Sequence, residues 1–288
     1  MEDLEKKIFS LLKNHERKQK TALSRKYPIL KKPVSRIRCI LRHIRNLFNS
    51  GIKTARSDTF FPYVIACYES PLRRKSGDHN PGMQDHKIVN IKRAIEKLNG
   101  IIIYPEKIFS FWHIIGNPDY SHGYVDGVML SDGKIIESAG GGLCQLSNFI
   151  YELFLNVPAE VIEEHNHSGF AFPDSGIVTV YYNYFDLRIK NKFSKPIQLK
   201  IWTADDLLKA QILSHSILPE KINIKEKNFC FIKKGKIYFR YKEICKEIEK
   251  DGKLISAEKV KTEFLPVFYG IDDEYILKNN YKCINIMP

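Results

Sequence analysis

No uninterrupted apolar run in this 288-residue sequence approaches the roughly 20 residues that a membrane-spanning helix needs, so no helical crossing of a bilayer is expected. The amino terminus, MEDLEKKIFSLLKNHERKQK, lacks the apolar stretch and small-residue cleavage site of a secretory signal, and a cytoplasmic protein is expected. The six cysteines (Cys39, Cys67, Cys144, Cys230, Cys245 and Cys283) include no CxxC pair and no histidine at ligand spacing. That removes a zinc knuckle and a disulfide framework, and leaves free thiols in a reducing compartment. Neither GxGxxG nor a phosphate-binding loop occurs, so no cofactor and no metal site are predicted. Acidic residues are scarce only at the amino end. Residues 1–56 hold 16 Lys and Arg against 4 Asp and Glu, a net of +12 out of +13 for the whole chain. The body is therefore nearly neutral, which argues against a nucleic-acid groove across it, and no nucleic-acid partner is expected.

What the sequence does hold begins with that basic arm. Ile37, Ile40, Leu41, Ile44, Leu47 and Phe48 recur at helical spacing, with Arg36, Arg38, Arg42 and Arg45 away from them. Two uses are open for such a helix. Its apolar stripe can pack on the body with the arginines solvated, or residues 30–50 can lie on an anionic membrane, placing the protein peripherally at the inner membrane face.

Beyond Ser57 the pattern alternates. YVIACYE (63–69) reads as a strand and residues 70–84, rich in Gly, Pro and charge, as an exposed loop. A helix is predicted from an Asp85 N-cap, through Ile88, Ile91, Ile95 and Leu98, to Asn99-Gly100. Short strands are predicted at 101–103, 109–115, 124–130 and 134–136, with Asp132-Gly133 as a hairpin turn. Leu143, Leu146, Ile150, Leu153 and Val157 then mark a second helix, ending at Asn156 and Pro158. The rest is β-rich: AEVIEE, IVTVYY, FDLRIK, PIQLKIW and KAQIL, followed by hairpins over 216–288 that turn at Asp251-Gly252. The expected fold class is α+β, a mixed core whose cysteine-bearing helix packs on an antiparallel sheet. Its parts are a basic helical arm (1–56), a core domain (57–215) and a β-rich extension (216–288).

Chemistry concentrates at GGGLCQ (140–145). Gly140, Gly141 and Gly142 allow positive φ and close approach to another group, and Cys144 falls in the first turn of a helix, where unpaired N–H groups favour an anion. A thiolate forms more easily there than at a free cysteine, although a buried cysteine is also a good small hydrophobe. Downstream, HNHS (165–168) sets His165 and His167 in a polar segment and Asp186 follows in FDLRIK. Nucleophile, general base and orienting carboxylate could come in that chain order. Gln145 points about 100° from Cys144 on the helix, while Asn148 and Ser168 are candidate binding residues.

FSFWHIIG (109–116), HGYVDGVMLSDGKIIESAGGGLCQLSNFIYELFL (122–155), VIEEHNHS (161–168) and FDLRIKNKFSKPIQL (185–199) resemble successive blocks of the VanW family, named for the accessory protein of B-type vancomycin-resistance operons. The resemblance spans about residues 56–202. It implies an association with enzymes that rebuild peptidoglycan precursors ending in D-Ala-D-lactate, and it covers Gly140 to Gly142, Cys144, Gln145, His165, His167 and Asp186. Two departures stand out. Glu163-Glu164-His165 replaces the family's Glu-Arg-His, and Ile177 stands where Gly-x-Asp-Ala-Thr-Val would bring an Asp.

Two readings of function follow. One is a cysteine hydrolase or transferase, with the layout of papain-like and transglutaminase-like cores, acting on an amide or ester of a cell-wall precursor peptide. Cys144 would attack, His167 or His165 would take the proton, and Asp186 would orient the imidazole. The other is a non-catalytic scaffold that binds cell-wall precursors or their enzymes at the inner membrane face.

Overall fold

The computed structural model describes residues 2–20, 34, 37, 40–42, 44, 51–73, 81–131, 134–173 and 176–286. Residues 1–49 and 50–288 form separate compact units. In the first, helix α1 (Glu2–Lys20) buries Ile8 and Leu12 and leaves Phe9 exposed. Val34, Ile37, Ile40, Leu41, Arg42 and Ile44 are helical; Arg36, Arg38, Arg45, Leu47 and Phe48 of the expected amphipathic helix lie outside the described residues.

The second unit is built on a five-stranded antiparallel sheet in the order β1 (Thr54–Arg56), β3 (Ile101–Ile103), β11 (Ile197–Ala204), β12 (Leu207–Ser214), β2 (Tyr63–Pro71). The β11–β12 hairpin turns at Asp205 and Asp206, both at positive φ, which sustains an eight-pair register from Ile197↔Ser214 to Ala204↔Leu207. Helix α2 (Pro81–Leu98) buries Ile88, Ile91 and Leu98 and stops before Gly100 as expected. Its start lies further upstream than Asp85. Proline at a first helical position loses only an N–H that has no intrahelical partner, and Asp85 instead pairs with Arg73 at 2.6 Å. Residues 82–84 are therefore helix and not loop.

The predicted strand over 109–115 divides. Ile108–Ser110 is strand β4, and Phe111–Ile115 is a short helix α3, because the Ser110 hydroxyl accepts from His113 N–H and caps a turn that alternation cannot reveal. β4 joins β10 (Arg188–Asn191) and β7 (Ala159–Glu163) in a three-stranded sheet. β5 (Asp126–Ser131) and β6 (Lys134–Ala139) pair as a hairpin whose turn, Asp132-Gly133, lies outside the described residues. Helix α4 (Leu143–Leu155) is apolar on most of its surface and packs against β2, β12 and α2, as well as β9 (Val178–Thr179), which pairs with β8 (His165–Asn166). The expected packing of the cysteine helix on an antiparallel sheet is present.

Three 14-residue strands, β13 (Lys221–Lys234), β14 (Ile237–Lys250) and β15 (Lys253–Pro266), make the carboxy-terminal meander, with Asp251 and Gly252 both at positive φ in the turn. A short helix α5 (Asp273–Lys278), capped by Asp272, returns the chain as β16 (Cys283–Ile286), which pairs in parallel with β13. Charges from this sheet meet the outer face of α4. Glu152 has its pKa pushed up to about 7, first by burial and then by Glu263 and Glu226, against the pull of Lys242 and Lys261. Folding thus favours the protonated carboxyl. Its contribution is full below the unfolded value near 4.5 and is lost as the pH rises through about 7. Glu152→Gln is expected to flatten the fall in stability over that window and to raise stability at pH 8 by about 1–3 kcal/mol, read from urea denaturation midpoints.

Candidate functional site

The entry to α4 is shaped by contacts that leave no room for side chains. A Cβ on Gly141 would stand 2.1 Å from the Gly127 carbonyl in β5, and one on Gly142, at φ +99°, would stand 2.2 Å from the Lys87 side chain. Asn90, fully buried on α2, ties together the segments that flank the β5–β6 hairpin. Its amide donates to Val125 O and Gly141 O, both at 2.9 Å, and its oxygen accepts from Val125 N–H at 2.9 Å. The glycines are thus a packing device first, and their consequence is a helix start that Gly142 leaves without a side-chain cap.

Cys144 sits in that first turn, half-buried. Its sulfur lies 3.3 Å from Thr179 Oγ1 and donates to Val180 O at 3.4 Å. One helical turn on, Asn148 Oδ1 accepts from Val178 N–H at 3.2 Å, and Gly176 lies flat against the same amide. Positions i and i+4 of a helix share a face, so α4 holds β9 through both residues. The predicted IVTVYY strand shrinks accordingly to Val178–Thr179.

β8 lies on the other side of β9, with His165 directly opposite Thr179. Side chains of an opposed antiparallel pair share a face with Cβ atoms about 4.5–5.5 Å apart, so this ladder brings one imidazole to the residue that touches the sulfur. His165 Nε2 is 3.1 Å from Glu163 Oε1, and its ring packs on Phe185 at 4.4 Å. His167 extends the ladder, donating its N–H to Ile177 O at 2.9 Å. Buried Ile177 therefore lies opposite His167 in the ladder.

Asp186 is placed differently from the role expected of it. Fully buried, it accepts from Ser110 Oγ at 2.7 Å and Trp112 N–H at 3.1 Å and pairs with Arg188 Nε at 2.9 Å; among the described residues no imidazole hydrogen-bonds to it. Arg188 also lies 3.5 Å from Glu163 Oε2, and Asp186 N–H donates to Glu163 Oε1 at 3.1 Å. The carboxylate on the imidazole is thus Glu163, with Asp186 one step behind. Gln145 turns away from the sulfur to donate to Pro71 O at 2.9 Å, and Ser168 is exposed.

Sequence reasoning also missed the turn after β9. Tyr181 N–H donates to Phe185 O, and Phe185 N–H to Tyr181 O, closing the loop Tyr181-Tyr182-Asn183-Tyr184-Phe185 with Asn183 at φ +67°. Turns ordinarily take polar residues, yet four of these five are aromatic. Tyr181 and Phe185 are exposed, and Trp112 meets Tyr182 edge-on at 5.5 Å while donating from Nε1 to Phe185 O. Asn183 between aromatic neighbours was the available signal.

The family model described as "VanW like protein" matches residues 86–213, which span every residue of this site. The match is to the VanW family and covers 128 of the chain's 288 residues. Vancomycin B-type resistance protein VanW of Enterococcus faecalis (strain ATCC 700802 / V583) is 30% identical over 148 residues, 48% of this chain and 54% of that protein. Uncharacterized protein YoaR of Bacillus subtilis (strain 168) is 23% identical over 113 residues, 38% of this chain and 37% of that protein. The chain thus spans about half the length of the first relative and little more than a third of the second. No solved structure matches it. For the VanW-like region, Gly141→Ala is expected to cost about 1–3 kcal/mol by forcing α4 off β5, whereas Gly270→Ala, with open space around it, should stay within about 0.5 kcal/mol of the parent in the same denaturation assay.

Proposed function

We propose that this protein acts in resistance to vancomycin-type glycopeptides through a thiol site that attacks an amide or ester of a cell-wall precursor peptide. The observation that carries the reading is the oriented imidazole: His165 held by Glu163 at 3.1 Å and set opposite Thr179, whose hydroxyl touches the Cys144 sulfur. With Nε2 committed to the carboxylate, Nδ1 is the nitrogen left to take the thiol proton. Sulfur then adds to the substrate carbonyl, and the Cys144 N–H at the uncapped helix start helps hold the oxyanion. The imidazolium returns its proton to the leaving amine or alcohol, and water or a second acceptor releases the acyl group. The relative named for B-type vancomycin resistance supports the biological setting. Trp112, Tyr182 and Phe185, the last packed on the His165 ring, offer aromatic contact area beside the imidazole for binding the substrate.

A second reading is favoured by the same sulfur. It donates to Val180 O and with Asn148 fastens β9 to α4, as a structural cysteine in a binding protein would. Alkylation by iodoacetamide, followed at the Cys144 peptide by mass spectrometry, separates the two. The thiol reading expects Cys144 to react at pH 7 about tenfold faster than in the unfolded chain, with that excess removed by His165→Ala and reduced by Glu163→Gln. Reaction no faster than in the unfolded chain, together with vancomycin tolerance preserved in Cys144→Ala, would leave the binding protein.

A further inference from the structure

Within residues 1–49 apolar side chains have two fates. Ile8 and Leu12 of α1 are 0% and 3% exposed, whereas Val34, Ile37, Ile40, Leu41 and Ile44 are between 39% and 59% exposed. All five are helical. Their sequence spacing matches the helical repeat, and at about 100° per residue that spacing confines them to an arc of roughly 120°, the pattern of an apolar stripe rather than of scattered surface leucines and isoleucines. Such a stripe is costly to leave in water. The sequence also decides what accompanies it. Arg36, Arg38 and Arg45 are interspersed with these apolar residues in the sequence, and residues 1–56 hold the net charge of +12. Arginines near an apolar stripe can bury their stems and keep their guanidinium groups at the level of lipid phosphates.

We infer that Val34, Ile37, Ile40, Leu41 and Ile44 insert into an anionic lipid surface, with the basic charge of residues 1–56 drawing the arm to the phospholipid headgroups, so that the arm is a peripheral membrane anchor. A second copy of the chain would have to bring an equally basic arm to the same stripe, so charge disfavours it; an acidic lipid layer supplies both the apolar depth and the opposite sign. The inference rests on the arm alone and stands whether or not Cys144 is a nucleophile.

Vesicle flotation of the full chain tests it. The protein is expected to float with phosphatidylcholine–phosphatidylglycerol vesicles, to release as salt is raised, and to stay behind with phosphatidylcholine alone. Ile37→Asp combined with Leu41→Asp should abolish flotation. Arg36→Gln with Arg38→Gln and Arg45→Gln should lower the partition coefficient on the order of a hundredfold at low salt, and this set alters no apolar side chain if the first variant does not fold. Equal binding to both vesicle types, or flotation surviving both variants, would overturn the anchor. So would failure to float accompanied by concentration-dependent dimerisation that the aspartates dissolve, since the stripe would then be an interface between copies.

Discussion

Arg188 is the constraint on which the site's arrangement depends. A guanidinium buried to 3% exposure must be neutralised where it stands, and Asp186 and Glu163 do so from two neighbouring segments. Each carboxylate then has capacity left for other work. Asp186 spends it on Ser110 and the Trp112 N–H, fixing where β4 gives way to α3; Glu163 spends it on His165. One buried cation thereby sets the direction of a half-buried imidazole on one side and of the tryptophan that borders the aromatic turn on the other. Loss of Arg188 would leave the two carboxylates without their shared cation, so the cluster acts as a unit.

The second determinant is close approach. Gly141 against Gly127, and Gly142 against Lys87, draw the start of α4 onto the β5–β6 hairpin and α2, and Asn90 meets the backbone groups exposed by that contact. With its start so fixed, the helix presents Cys144 and Asn148 to β9 in one register. The same geometry that removes side chains from the entry also leaves the first turn of the helix uncapped beside a sulfur.

Much of the fold was legible because periodicity reports burial. Ile88, Ile91 and Leu98 on α2, and Leu146, Ile150 and Leu153 on α4, are buried as their spacing requires, and the two positive-φ residues at Asp251-Gly252 turn the last long hairpin. Segments where a side chain overrides the pattern were not legible. Phe111–Ile115 is apolar enough for a strand, but the Ser110 cap makes it a helix; Pro81 starts α2 inside what composition marks as loop. Tyr181 to Phe185 carries strand-forming residues, yet its ends hydrogen-bond each other and close a turn.

At the site, the sequence by itself determined which groups were available: a cysteine at a helix start behind three glycines, two histidines in a polar segment, and a basic arm with an apolar stripe. Local spacing suffices for these, since a helix start and an amphipathic face are properties of adjacent residues. Tertiary structure alone decided the pairings. Thr179 reaches the sulfur and His165 stands opposite it only because β8 and β9 pair in one register, and a slip of one residue would turn both to the other face. Likewise Glu163, and not Asp186, meets the imidazole because Arg188, 25 positions further along the chain than Glu163, draws both carboxylates into one buried cluster. Contacts between segments so far apart are set by the balance of buried charge across the fold, which no local pattern encodes.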